Sequence, residues 1–395
     1  MPACARARLT GGDRARITAR PTNREKIPLM RAAVLREAGH LGVEEIDVPV
    51  PGPGEVRVRL RATGVCHTDR TIVEGKVPVP LPMVLGHEGA GVVDAVGGGV
   101  TDLTVGDHVV LTITPGCGMC RQCQLGAFAL CAVAAPHLLD GRLSNGQRRL
   151  TRGAERLNHF AMQSSFAEYA VVERRVAVRV PDDVPFDVAC LTACGVSTGF
   201  GAAVLRAGVG FGETVLVIGV GGVGLAAVLG AVTVGAGRVV VADRSAAACQ
   251  LAADLGATDT IVVDGDGAGG GGLAARVRAL TGGGVDVAID AVGTAGTVAA
   301  AFTALRGGGR AVVVGVADAR AKVSIPLYHL IDQRVLTGST NGNIRPHVDI
   351  PRILDLYRAG RLPLDRLVTR RHPLENIGRA MAELGVRPGR AVITF

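Results

Sequence analysis

Residues 214–237 read TVLVIGVGGVGLAAVLGAVTVGAG, twenty-four positions without a charge. The stretch is long enough to cross a bilayer. Its glycines, however, are grouped between a short β-branched run and a helix-compatible run, which reads as a strand, a tight turn and a helix. Downstream, RVVVAD, TIVVD, VDVAID and RAVVVG repeat the short apolar strand, and Ala/Leu-rich stretches separate the first few. That alternation predicts an α/β fold on a doubly wound parallel sheet.

The turn itself, Gly219-Val220-Gly221-Gly222-Val223-Gly224, is G-x-G-x-x-G. Between a strand and a helix, such glycines let the backbone approach a pyrophosphate, whose charge meets the helix N-terminus. Asp243 ends the next strand, 19 residues after Gly224, near the spacing expected of an acid that binds the adenosine ribose. Its carboxylate would repel a 2′-phosphate, so NAD is expected over NADP, although Arg244 beside it pulls the other way.

Before this sheet the texture is different. EVRVRLRATGV, GAGVVDAVG, DHVVLTI and FAEYAVV are short β-like runs broken by Pro and Gly, as in an irregular β-rich domain. After it come a helix near IPRILDLYRAG and a last strand, RAVITF. The expected division is an extension over 1–29, a β-rich part over 30–195, a nucleotide-binding part over 196–340, and a return to the first part over 341–395. GDGAGGGG at 265–272 reads as a flexible loop. The net charge of +8 is uneven: residues 1–29 hold seven basic and two acidic side chains, leaving +3 for the rest. With 3% aromatics and no tryptophan, no stacking surface for nucleic acid is expected. The extension has no apolar core of a secretory signal and reads as disordered, or as the product of an upstream start codon.

Four of nine cysteines, Cys117, Cys120, Cys123 and Cys131, fall in CGMCRQCQLGAFALC. Four thiolates complete a tetrahedral zinc and leave no position for substrate, so such a metal holds shape only. An iron–sulfur cluster and a disulfide framework are the alternatives. A zinc ribbon for nucleic acid would want a basic face, and only Arg121 is near. Cys66 in GVCHTDR, His87 in GHEGAG and Cys194 in TACGVSTG are remote from one another, and each alone reads as packing or loop.

Taken in order, GVCHTD, GHEGAG, the four-cysteine loop, CGVSTG, GVGGVG and GRAVITF resemble the zinc-dependent medium-chain alcohol dehydrogenases, from Met30 to Phe395. The segment 140–172 is similar to the longer loop of the class III and benzyl-alcohol branches, and 348–370 to bacterial members, including those that oxidise aryl alcohols or thiol adducts of formaldehyde. The resemblance implies a GroES-like catalytic domain and a Rossmann NAD domain. It also implies a catalytic zinc on Cys66, His87 and Cys194, and a structural zinc on the four cysteines. Asp69 would orient the histidine ligand and Glu88 would sit behind the metal. Thr68 would take the proton of a primary alcohol whose hydride passes to NAD. His67 and Arg390 would meet the pyrophosphate, with Thr198, Val223 and Val316 near the nicotinamide. Many relatives carry a histidine where this chain has Thr71, so the proton relay would lack its terminal base. Many carry an aromatic where it has Ile113, so a wider pocket suited to bulky or aromatic alcohols is expected. The rival substrate is an S-(hydroxymethyl) thiol, whose anionic carrier would need Arg70, Arg142, Arg148 or Arg149. A coenzyme-binding redox sensor without catalysis is the alternative of another class. A cytoplasmic homodimer, with a tetramer as the alternative and no nucleic-acid or membrane partner, completes the expectation.

Overall fold

A computed structural model of the 395-residue chain describes residues 28–263, 271–316, 318 and 320–395. The extension over 1–27 and most of the glycine run at 265–272 lie outside the described residues. Gly271 and Gly272 open the helix Gly271–Thr281. The first strand, Leu29–Glu37, starts one residue inside the expected extension, because Leu29 pairs with Asp47 and the Pro28 carbonyl accepts the Val48 N–H at 2.8 Å.

The charge-free segment resolves into strand Thr214–Ile218 and helix Gly222–Thr233. The parallel sheet contains, from one edge to the other, Asp259–Val262, Arg238–Asp243, Thr214–Ile218, Val285–Asp290, Leu305–Val313 and Val335–Gly338. Numbered along the chain, that is 3-2-1-4-5-6, and the order reverses between the first and fourth strands, the place where sheets of this order bind ligands at the carboxyl ends. The sixth strand was not among those expected. It has four residues, none buried, at an edge, so it lacks the apolar run that marks the others.

Helix Gly222–Thr233 is buried from Gly224 to Ala231. It packs on helix Gly195–Gly201, where a Cβ on Gly199 would strike the Val223 carbonyl. Burial between protein elements explains the lack of charge. Among the described residues no single helix is long and apolar enough to cross a membrane. The bent pair Phe186–Ala193 and Gly195–Arg206 qualifies only by length and composition, and most of it is buried in the main core.

The other sheets are mostly antiparallel. Glu55–Gly64 lies between Gly89–Val96 and Arg390–Thr394, with Tyr169–Glu173 also paired to it. The register Val392↔Gly64 brings Arg390, from the far end of the chain, beside the turn that carries Cys66. Strand Val368–Pro373 pairs in parallel with Arg390–Thr394, so these two late strands lie in the same sheet as Glu55–Gly64.

Candidate active site

Three chain turns converge on one buried point. Cys66 precedes helix His67–Val73 and Cys194 precedes helix Gly195–Gly201. His87 follows Gly86, whose φ of +90° and close contact with Phe166 admit only glycine. Ligand atoms of Cys66, His87, Glu88 and Cys194 lie within 4.8 Å of one another, all on buried residues. Cys190, though four residues from Cys194, is outside the cluster.

Asp69 ties two of these turns together. Its Oδ2 accepts the Cys66 N–H at 3.1 Å, and its Oδ1 accepts the Gly86 N–H at 3.2 Å and the His87 Nδ1–H at 3.1 Å. The Nδ1 hydrogen bond leaves His87 Nε2 for a ligand. A hydrogen bond from Cys194 holds the Cys66 thiol well below its ordinary value, and the same bond with burial holds Cys194 well above. Burial pulls His87 down, but the charges of Asp69 and Cys66 overcome it and raise it. Acidic sulfur, imidazole and an oriented carboxylate form a donor set that trades protons for a dication, and two sulfurs with one nitrogen suit zinc with a position to spare.

Thr68 places its hydroxyl 3.7 Å from Cys66 Sγ. Phe160 stands edge-on to His87, centroids 5.3 Å apart, and shares an apolar cluster with Ile113 and Leu138. Phe160 carried no signal in the sequence. His67 is exposed and lies against the turn at Gly385. Thr71 donates its hydroxyl to the His67 carbonyl at 2.9 Å.

Cys117, Cys120, Cys123 and Cys131 form the second cluster, again with ligand atoms within 4.8 Å. The Cys120 N–H points at Cys117 Sγ (3.3 Å) and the Ala134 N–H at Cys131 Sγ (3.4 Å). Backbone donors, first that of Cys123, hold Cys120 down to about 6, whereas burial pushes Cys123 up to about 12. The turn Phe128–Leu130 of this lobe rests on Asn341–Asn343.

The glycine loop fits a nucleotide. Gly219 has φ +83°, and a Cβ on Gly224 would strike the Gly219 carbonyl. No heavy atom would meet a Cβ on Gly221, so that face is open. Asp243 Oδ2 accepts the Val220 N–H and Oδ1 the Ser245 N–H, both at 2.8 Å. The acid therefore braces the loop and retains lone pairs for hydroxyls. Arg244 is exposed, with no ion pair among the described residues. Val316 is exposed beside the backbone of Gly293.

Arg390 sits deeper than expected. It is 6% exposed and paired with Glu88. Its side chain fills the space a Cβ on Gly222 would need and approaches Gly195. Arg390 Nε and Glu88 Oε1 are buried without partners. One side chain thus joins the cysteine–histidine cluster to the glycine loop, and its unpaired N–H suits an anion arriving at that loop. Arg149, one of the arginines considered for an anionic carrier, is already engaged. It is locked on Glu55, which is fully buried and also held by Asn145 and the Gly52 N–H.

Comparison with known proteins gives the family. Residues 52–182 match the family model for the alcohol dehydrogenase GroES-like domain, and residues 222–358 that for the zinc-binding dehydrogenase. The chain is 38% identical to an alcohol dehydrogenase class-3 of Drosophila melanogaster, covering 90% of this chain and 94% of that one. It is 36% identical to an S-(hydroxymethyl)glutathione dehydrogenase of Candida maltosa, covering 90% and 93%. The crystal structure of benzyl alcohol dehydrogenase from Acinetobacter calcoaceticus superposes with a TM-score of 0.86 at 32% identity, covering 93% and 99%.

Proposed function

Since the chain belongs to the zinc-dependent medium-chain alcohol dehydrogenases, we propose that it oxidises bulky or aromatic primary alcohols to aldehydes with NAD, using Cys66, His87 and Cys194 to hold the catalytic zinc. The observation that carries this reading is Arg390, which touches both the cluster at Glu88 and the glycine loop at Gly222. Metal and coenzyme sites so joined bring an alcohol carbon and a nicotinamide to one crevice. Zinc, when bound, acidifies the alcohol, and NAD takes the hydride. The chain's own part is orientation and proton handling. Asp69 fixes His87, Thr68 receives the hydroxyl proton, and the apolar wall of Phe160, Ile113 and Leu138 excludes water. The four cysteines hold a second zinc that keeps the lobe in shape.

The boundaries 30–195, 196–340 and 341–395 are our assignment of catalytic and coenzyme parts. The sheet pairings support it. We also assign a homodimer joined along the edge strand Val335–Gly338, where Leu327, Tyr328, Ile331 and Val335 are exposed. A cytoplasmic location suits two sites built of reduced thiols.

The test offers NAD and NADP with ethanol, hexanol, benzyl alcohol, and formaldehyde plus glutathione or mycothiol. NAD reduction is expected to be fastest with benzyl alcohol or hexanol. Ile113→Phe should shift preference toward ethanol. A higher kcat/KM for ethanol in the unaltered protein refutes the wide pocket. The thiol-adduct reading is favoured by the Candida maltosa relative. The locked Arg149 weakens it, and activity confined to formaldehyde with a thiol would establish it.

A further inference from the structure

We propose that Asn341 is a positioning residue for the coenzyme, acting through the hydroxyl of Thr198. The inference rests on the reading above that Thr198 borders the nicotinamide. Asn341 lies where the chain leaves the parallel sheet, in a turn of three left-handed residues. Asn341 has φ +47°, Gly342 +66° and Asn343 +57°. Asparagine is among the few side chains that accept this conformation.

The turn is fixed on both sides. A Cβ on Gly342 would strike the Ser197 carbonyl, and one on Gly201 would strike the Gly342 carbonyl. Ser339 donates its hydroxyl to Asn343 Oδ1 at 2.9 Å. The Asn341 side chain therefore starts from a rigid point. Its Nδ2 donates to Thr114 Oγ1 at 2.8 Å, and its Oδ1 accepts from Thr198 Oγ1 at 3.3 Å. Thr114, Asn341 and Thr198 are only 3%, 4% and 8% exposed, so solvent offers no ready substitute for either bond.

The three residues come from different places. Thr114 stands three residues before Cys117. Thr198 is one turn into the helix that Cys194 opens, and its N–H donates to the Cys194 carbonyl at 2.8 Å. A threonine in a helix divides between two χ1 rotamers, and the amide acceptor of Asn341 holds the one whose hydroxyl reaches it. The face that Thr198 offers a nicotinamide is thereby set by a residue that need not touch the coenzyme.

Asn341→Gly removes the amide, and glycine adopts φ +47° without steric strain. The zinc-loaded full chain and its variants are titrated with NADH, read by nicotinamide fluorescence, and with ADP-ribose, read by calorimetry. The primary deuterium isotope effect on kcat is measured with α-deuterated benzyl alcohol. Asn341→Gly should bind NADH about tenfold more weakly, the scale of one lost buried hydrogen bond, and raise the isotope effect. ADP-ribose, which lacks the nicotinamide, should bind within about twofold of normal. Thr198→Val should reproduce these changes, and the double variant should add nothing further. If Asn341→Gly does not fold, Thr114→Val should give the same pattern at about threefold. Equal weakening of NADH and ADP-ribose, unchanged NADH binding, or additive effects of the two substitutions overturn the proposal. Wild-type protein that binds NADH but oxidises no alcohol refutes the functional reading alone. Wild-type protein that binds neither nucleotide refutes both.

Discussion

Replacing Asp69 should loosen zinc before it affects any other property, and by an amount set by three hydrogen bonds. The carboxylate is fully buried and accepts from the Cys66 N–H, the Gly86 N–H and His87 Nδ1. Asp69→Asn keeps the shape but has one acceptor oxygen. If that oxygen stays with Gly86 and His87, the new NH2 group opposes the Cys66 N–H, and one donor is orphaned at about 1–3 kcal/mol. If the amide flips, two donors are lost, so the first arrangement prevails and His87 keeps its orientation. Asp69→Ala loses all three bonds. Loss of such a partner costs about 10–100-fold in metal affinity. Asp69→Asn should fall near the lower figure and Asp69→Ala near the upper, about 1.4 and 2.8 kcal/mol. The assay is competition for zinc against a chromophoric chelator, with kcat/KM measured at saturating zinc. If Asp69→Ala retains both native zinc affinity and native kcat/KM, the argument that this carboxylate aims the histidine is wrong.

Three further outcomes are expected. His159 is buried, its Nε2 accepts the Arg149 N–H at 3.0 Å, and burial pushes it down to about 3. The unfolded chain takes up that proton near pH 6.5, so this contribution is whole above about 6.5 and fades as pH falls toward 3, by up to about 1.4 kcal/mol per pH unit. His159→Gln should therefore flatten Tm against pH between 7 and 5, and an unchanged slope would count against it. Cys117→Ser should reduce bound zinc, by elemental analysis, from two per chain to one and lower Tm; retention of both ions refutes the four-thiolate site. Thr71→His should raise turnover at low pH if proton release limits the rate, and an unaltered pH–rate profile contradicts that.

Features confined to a few neighbouring residues were legible in the sequence. The glycine loop could be read because each glycine answers a backbone demand, and the four cysteines because a single loop holds them. The catalytic set could not be read that way. Cys66, His87 and Cys194 are separated by 21 and 107 positions, and only resemblance grouped them. The contact of Arg390 with Glu88 spans 302 positions and depends on the pairing of Arg390–Thr394 with Glu55–Gly64. Expectation placed that arginine at the pyrophosphate and missed how far burial draws it toward the metal ligands. Asn341 and Asn343 flank a glycine in NGN, a turn signal, but nothing local says that Thr114 and Thr198 await the amide. The edge strand Val335–Gly338 escaped notice because its side chains are not buried.

The strand Arg390–Thr394 also bears on how the protein is made. It lies between two partners synthesised earlier, and it brings the arginine that completes the site. During translation the parallel sheet of residues 214–338 can close first, since its six strands are contiguous in the chain. The β-rich part, although emerging before it, must wait with the end of Glu55–Gly64, residues 62–64, lacking its last partner, since Tyr169–Glu173 covers only residues 55–59. An exposed edge of that kind invites pairing with other chains. A chaperone that shields this edge until the strand arrives would raise the yield of active enzyme without altering the stability of the finished fold.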